Sequence, residues 1–302
     1  MEMGFLGLGK MGGLMVQKLH TAGHKIHVYD TDITKGIALA QENLVAQKSI
    51  TDLVNALPSP RIIWVMVPSG TPTQETLEQL FLMLQSGDIV IDGGNSNFKE
   101  SMAFGAKFKQ KGIYFLDVGT SGGVWGPTYG YCLMAGGDKE AMDAVKPIFS
   151  ALADKAGFLH VGPSGSGHFA KMVHNAIEYG MMQAYGEGFA LLEDAGQRFS
   201  FGYDLPKLAG LFQQGSVIRS WLLDLLKEAL NEDPKLETIV GKVPDSGEGR
   251  WAAKEAIDAG IATPVLTTAL QMRFTSRQDN AFSARVCSAL RKQFGGHAVE
   301  KK

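Results

Sequence analysis

Apolar residues in the first half of the chain gather in short runs at 3–8, 25–29, 61–67, 89–92 and 114–117. Between them the spacing changes to the three-and-four pattern of amphipathic helices, over 11–21, 34–41, 49–55, 73–84 and 99–110. Strands separated by helices of this length predict βαβ units and a mainly parallel sheet. A further helix over 139–152 and a strand near 158–161 complete this half.

The glycine- and serine-rich stretch from Val161 to Gly167 breaks the pattern, which places a domain boundary there, between 1–163 and 164–302. From Ser166 to about Ala195 the residues favour helix and include no proline. A helix of about 30 residues would run about 45 Å, with Gly180, Gly186 and Gly188 permitting close packing along it. The remaining patterns, at 205–213, 220–230, 250–259, 263–274 and 280–293, are all helical. The fold expected is an α/β Rossmann-like N-terminal domain followed by an all-α C-terminal domain built on the long helix. There is no internal repeat and no low-complexity segment.

Composition narrows the setting. With 45% hydrophobic and 20% charged residues, the 302-residue chain reads as a soluble globular protein with room for two cores. A formal net charge of −2 provides no global field to draw in nucleic acid or an anionic membrane, so an anionic ligand needs a local basic cluster. Cys132 and Cys287 are too few for a disulfide framework, no apolar stretch approaches ~20 residues, and the residues from Met1 onward, which run straight into a strand-like segment, lead us to expect no secretory leader. The expected location is the cytoplasm.

Gly7, Leu8, Gly9, Lys10, Met11 and Gly12 follow the first strand and open the first helix. In that context the three glycines allow a tight turn, close approach of the backbone to a pyrophosphate, and close helix–sheet packing. The second strand ends in Asp30. A carboxylate there accepts hydrogen bonds from the adenosine ribose of NAD and repels the 2′-phosphate of NADP, so NAD is the expected cofactor. The alternative is that Asp30 caps the helix starting near Ile33.

Lys171, His174, Asn175 and Glu178 lie at i, i+3, i+4 and i+7, on one face of the long helix. The intervening Met172, Val173, Ala176 and Ile177 are apolar and suit packing. A base, an acid and two hydrogen-bonding groups in so apolar a helix form a candidate catalytic stripe, or else a solvated face. Two loops, 92–96 and 121–123, follow strands at the carboxyl edge where ligands bind open α/β sheets.

These segments together resemble the 6-phosphogluconate dehydrogenase family, within the β-hydroxyacid dehydrogenase superfamily. The resemblance is carried by 7–12, 92–96, 121–123, the run 167–180, and Phe294, Gly295, Gly296 and His297. The chain and its segment 245–251 look like the short bacterial form of the family. The resemblance implies NAD-dependent oxidative decarboxylation of 6-phosphogluconate to ribulose 5-phosphate and CO2, without a metal. It implies cofactor contacts at Gly7, Leu8, Gly9, Lys10, Met11, Gly12, Asp30, Val67, Pro68 and Asn95. Lys171 would be the proton acceptor and Glu178 the acid. Asn95, Ser121, Gly122, Gly123, His174 and Asn175 would hold the carboxylate and hydroxyls of the sugar acid. Tyr179 and Arg273 would hold the phosphate, joined by Arg291 and His297 of a neighbouring subunit in a homodimer or homotetramer. On the residues alone, Arg291 equally suits a helix C-terminus completed by Gly295.

One departure stands out: where longer members carry a lysine in the phosphate-binding segment, this chain has Ser246, with Glu248 nearby. The rival expectation is a β-hydroxyacid dehydrogenase of the 3-hydroxyisobutyrate type, which transfers hydride without decarboxylation. A non-catalytic NAD-binding sensor would need neither Lys171 nor Glu178.

Overall fold

A computed structural model describes residues 1–295, 298 and 300. Eight strands form one sheet: β1 (Glu2–Leu6), β2 (Lys25–Tyr29), β3 (Leu44–Ala46), β4 (Ile62–Val65), β5 (Ile89–Asp92), β6 (Tyr114–Ser121), β7 (Tyr131–Gly137) and β8 (Ala153–Gly162). Their order is β3-β2-β1-β4-β5-β6-β7-β8, parallel throughout except for the antiparallel pair β6–β7. The order reverses between β1 and β4, which opens a crevice at the carboxyl ends of those strands.

The sheet is buried on both faces, which is why its strands read as continuous apolar runs. Met3 and Phe5 of β1 and Trp64 of β4 join one core with Met15, Val16 and Leu19 of the first helix, Lys10–Thr21. Leu6, Ile63 and Val65 point the other way, into a second core with Leu53, Leu77, Leu80 and Phe108.

The expected strands and helices form, with shifts at their ends. Two strands were not expected: β3 has only three residues, and β7, YCLMAGG, lacks β-branched residues and ends in glycines. The helix expected over 139–152 is two, Lys139–Ala144 and Lys146–Leu152, broken at Val145. Pro147 explains the break, because its ring has no N–H for a continuing helix and would clash with the preceding turn.

The chain divides into two compact units, Met1–His174 and Asn175–Lys302, and the division falls within the long helix Ser166–Arg198. The boundary expected at 163–164 lies in the loop before that helix. After it come helices Leu205–Phe212, Trp221–Glu232, Glu248–Asp258, Pro264–Thr275 and Phe282–Gly295, with no strand among the described residues of the second unit. Asp204 and Ser220 cap two of them by accepting the N–H groups of Lys207 and Leu223.

Candidate active site

The turn after β1 is built by its glycines. Gly7 has φ +96°, and a Cβ there would lie 2.3 Å from the Met66 carbonyl oxygen. A Cβ on Gly12 would meet the Gly7 carbonyl oxygen at 2.1 Å. Gly9, by contrast, faces open space at the start of helix Lys10–Thr21, where no side chain caps the amides. The result is a helix N-terminus with exposed N–H donors and partial positive charge, suited to a pyrophosphate.

A cleft of about 830 Å³ opens beside this turn, lined by Gly7, Gly9, Met11, Gly12, Asp30, Val67, Pro68 and Asn95. Of the expected cofactor residues, Leu8 and Lys10 do not line it. Leu8 turns its side chain into the core and offers its backbone instead, its N–H donating to Asp30 Oδ2 at 2.7 Å.

Asp30 Oδ1 accepts from the Asp32 N–H at 2.9 Å and from Lys35 Nζ at 3.1 Å. Burial pushes this carboxyl up. The bonds from Leu8, Asp32 and Lys35 outweigh that and hold it below the usual aspartate value. The capping alternative for Asp30 is corrected: Asp32 caps helix Ile33–Leu39, accepting the Thr34 N–H at 3.1 Å.

The loop after β5 is held by Asp92, whose carboxylate accepts from the Gly94 N–H at 3.0 Å and Ser96 Oγ at 2.7 Å. Asn95, at φ +55°, spans to β6: its Oδ1 accepts the Thr120 N–H at 2.8 Å and its Nδ2 donates to the Thr120 carbonyl at 3.1 Å. Part of its amide is therefore already spent on aligning two loops. Ser121 ends β6, and its Oγ lies 3.4 Å from His174 Nε2. Gly122 and Gly123 follow with φ +120° and +53°, and Gly123 faces open space.

Asp117, fully buried in β6, holds the start of the long helix. Its Oδ1 accepts the Gly165 N–H at 2.6 Å and its Oδ2 accepts the His168 N–H at 2.8 Å. A neighbouring strand thus supplies the acceptor that a helix N-terminus lacks. His168 Nδ1 also lies 2.7 Å from Ser101 Oγ, on the helix that follows the Asn95 loop. One turn on, Lys171 is 6% exposed, and a Cβ on Gly119 would lie 2.4 Å from the Lys171 Cβ. Only a glycine in β6 lets the lysine stem cross the strand there. Sequence reasoning missed Asp117 and Gly119 as supports; an acid and a glycine within an apolar strand were the available signal.

The expectation that Met172, Val173, Ala176 and Ile177 pack is corrected at one position. Met172 and Ala176 are buried and Val173 is half-buried, but Ile177 is 49% exposed. Lys171 and Asn175 are buried instead, so this is no solvated polar face. Glu178 is half-buried on the same helix.

In the second unit, the Tyr179 hydroxyl accepts the Ser246 N–H at 3.3 Å and lies 3.4 Å from Ser246 Oγ. The Arg273 guanidinium stacks 3.4 Å from the Tyr179 ring centroid and donates to the Pro244 carbonyl at 2.8 Å. Asp245 takes both Arg250, at 2.7 Å, and Arg277, at 3.0 Å. Arg291 is exposed near the end of helix Phe282–Gly295, while His297 lies outside the described residues.

Comparison with known proteins shows the family of the chain. The family model for the NAD binding domain of 6-phosphogluconate dehydrogenase matches residues 2–162, and that for the 6-phosphogluconate dehydrogenase C-terminal domain matches 167–194 and 183–302. YqeC of Bacillus subtilis (strain 168), provisionally named a 6-phosphogluconate dehydrogenase, is 43% identical over 100% of both chains. An NAD(+)-dependent, decarboxylating 6-phosphogluconate dehydrogenase of Haloferax volcanii is 40% identical over 100% of this chain and 99% of its own. The 6-phosphogluconate dehydrogenase of Plasmodium falciparum superposes with a TM-score of 0.82 at 28% identity, covering 100% of this chain and 66% of that one.

Proposed function

Because the chain belongs to the 6-phosphogluconate dehydrogenase family, we propose that it oxidises and decarboxylates 6-phosphogluconate with NAD, yielding ribulose 5-phosphate, CO2 and NADH. The observation that carries the reading is the burial of Lys171 across Gly119, on a helix that presents Glu178 two turns later. A buried lysine is the residue type whose neutral form is favoured by desolvation, as a proton acceptor requires.

In this reading the Gly7–Gly12 turn and Asp30 would hold NAD, which would supply the acceptor for the hydride leaving C3 of the substrate. Lys171 removes the C3 hydroxyl proton and then, protonated, polarises the resulting keto oxygen. The β-keto acid breaks its C1–C2 bond and releases C1 as CO2, the electron pair passing into its own C3 carbonyl to leave the enediol, so no metal is needed. Glu178 protonates C1 of the enediol. The separation of about 10.5 Å along the helix axis lets the two groups serve different atoms of one sugar acid. Ser121, His174, Asn175, Asn95 and the Gly122–Gly123 amides would orient the carboxylate and hydroxyls, and Tyr179 with Arg273 the phosphate.

The fit to NAD rests on the open space at Gly9 and on Asp30, a ribose acceptor held charged by its three donors. Self-association as a homodimer or homotetramer, with Arg291 and His297 completing a partner's site, is part of the same proposal. It is supported by Phe282, Val286 and Leu290, an exposed apolar stripe at i, i+4 and i+8 of helix Phe282–Gly295. A cytoplasmic location is proposed with it, and no described helix is long and apolar enough to cross a membrane.

The deciding experiment supplies purified protein with NAD and 6-phosphogluconate and measures both products. NADH and CO2 are expected in equal amounts. NADH without CO2 would instead make it a simple β-hydroxyacid dehydrogenase, and neither product would reject the assignment.

A further inference from the structure

The Tyr179 cluster contains a group that works against anion binding. Glu248 is 7% exposed and opens helix Glu248–Asp258. Ser246 Oγ donates to Glu248 Oε2 at 2.5 Å. With its proton committed there, Ser246 presents only lone pairs to the Tyr179 hydroxyl 3.4 Å away. The Tyr179 hydroxyl already accepts the Ser246 N–H, so its own proton is directed toward Ser246 Oγ. Two hydroxyl protons are thereby drawn in sequence toward one buried carboxylate. Two nearby cations are also claimed, since Arg250 and Arg277 both bind Asp245. Arg273, stacked on the Tyr179 ring, faces the cluster alongside them.

We propose that Glu248 is a specificity-determining residue, which polarises Ser246 and Tyr179 away from the phosphate and so keeps the contribution of the phosphate to substrate binding small. The inference rests on the reading that Tyr179 and Arg273 hold the phosphate. Its consequence is a substrate class defined by the sugar-acid end, in which gluconate without a phosphate competes more closely with 6-phosphogluconate than a lysine-bearing pocket would allow. Glu248 acts through Ser246 and is a positioning residue.

Glu248→Gln is the discriminating variant. The amide removes the charge, and its N–H group can donate to Ser246 Oγ, turning the serine proton outward toward an anion. KM for 6-phosphogluconate is expected to fall roughly three- to thirtyfold relative to KM for gluconate, as expected for removing one charge from a partly solvated site. Most of the effect should appear in KM rather than kcat. Titration with inorganic phosphate, followed calorimetrically in the absence of turnover, should show tighter binding by a similar factor. Glu248→Ala, with folding checked by circular dichroism, should move both quantities in the same direction if the glutamine variant fails to fold. Unchanged or weakened phosphate binding in a folded variant, or equal changes for gluconate and 6-phosphogluconate, overturns the proposal. If the wild type turns over neither substrate, the proposed function fails, while the phosphate titration still tests Glu248.

Discussion

At the scale of single residues, Asp30 shows how one side chain serves the fold and the ligand together. It closes the glycine turn through the Leu8 N–H and pairs with Lys35, whose side chain is 44% exposed and lines the same cleft. Asp30 opposes a 2′-phosphate, but Lys35 offsets part of that charge and can turn toward an anion. NAD preference is therefore expected to be graded rather than absolute. Lys35→Ala should lower kcat/KM for NADP by roughly five- to thirtyfold and leave that for NAD within about threefold. Equal losses with both cofactors would show that Lys35 merely supports the turn. Asp30 was legible in the sequence because it ends a strand about 20 residues after the glycines. Lys35 was not, because its relevance depends on which way helix Ile33–Leu39 presents it.

Among elements, the long helix was legible in extent and in the spacing of its polar stripe. Its anchoring was not, because Asp117 and Gly119 act through β6, which runs four residues beyond its expected end at 117 and pairs with a strand the pattern did not reveal. Side-chain periodicity reports local geometry; a contact across some fifty positions appears only once the sheet is assembled. The segment before helix Glu248–Asp258 illustrates a second hidden contact. Asp245 is held down to about 2, first by its hydrogen bond from Arg250, against burial, and then by Arg277. A carboxyl depressed in the folded state stabilises it above the unfolded value and loses that contribution as pH falls through the folded one. The window is thus from about pH 4 to about pH 2, and the full effect is about 2 kcal/mol. Asp245→Asn should lower Tm at pH 7 and flatten the dependence of stability on pH in that window. A variant whose denaturation curves run parallel to the wild type across the window would rule out this role.

For the whole molecule, the two halves were legible to different degrees. The α/β half has strand and helix periods that alternate, so its class and its mainly parallel sheet follow from the pattern. Its strand order does not, because β3 and β7 left no period in the sequence and β6–β7 pairs antiparallel. The helical half offers one period repeated, which predicts helices without saying which faces meet. Its amphipathic last helix makes the point: Phe282, Val286 and Leu290 remain exposed in a single chain, a stripe that has no burial within the described residues of that chain. If a second copy covers it and lends Arg291 to the partner's substrate, a site is assembled from two subunits. Lys171→Ala and Arg291→Ala would then each be severely impaired alone but complementary when mixed. Random reassembly into dimers gives half of the molecules as mixed pairs, each with one site that carries both wild-type residues. Recovery of about a quarter of wild-type activity is expected after denaturation and refolding together. Mixtures no more active than the sum of the separate variants would mean that Arg291 serves its own chain or none.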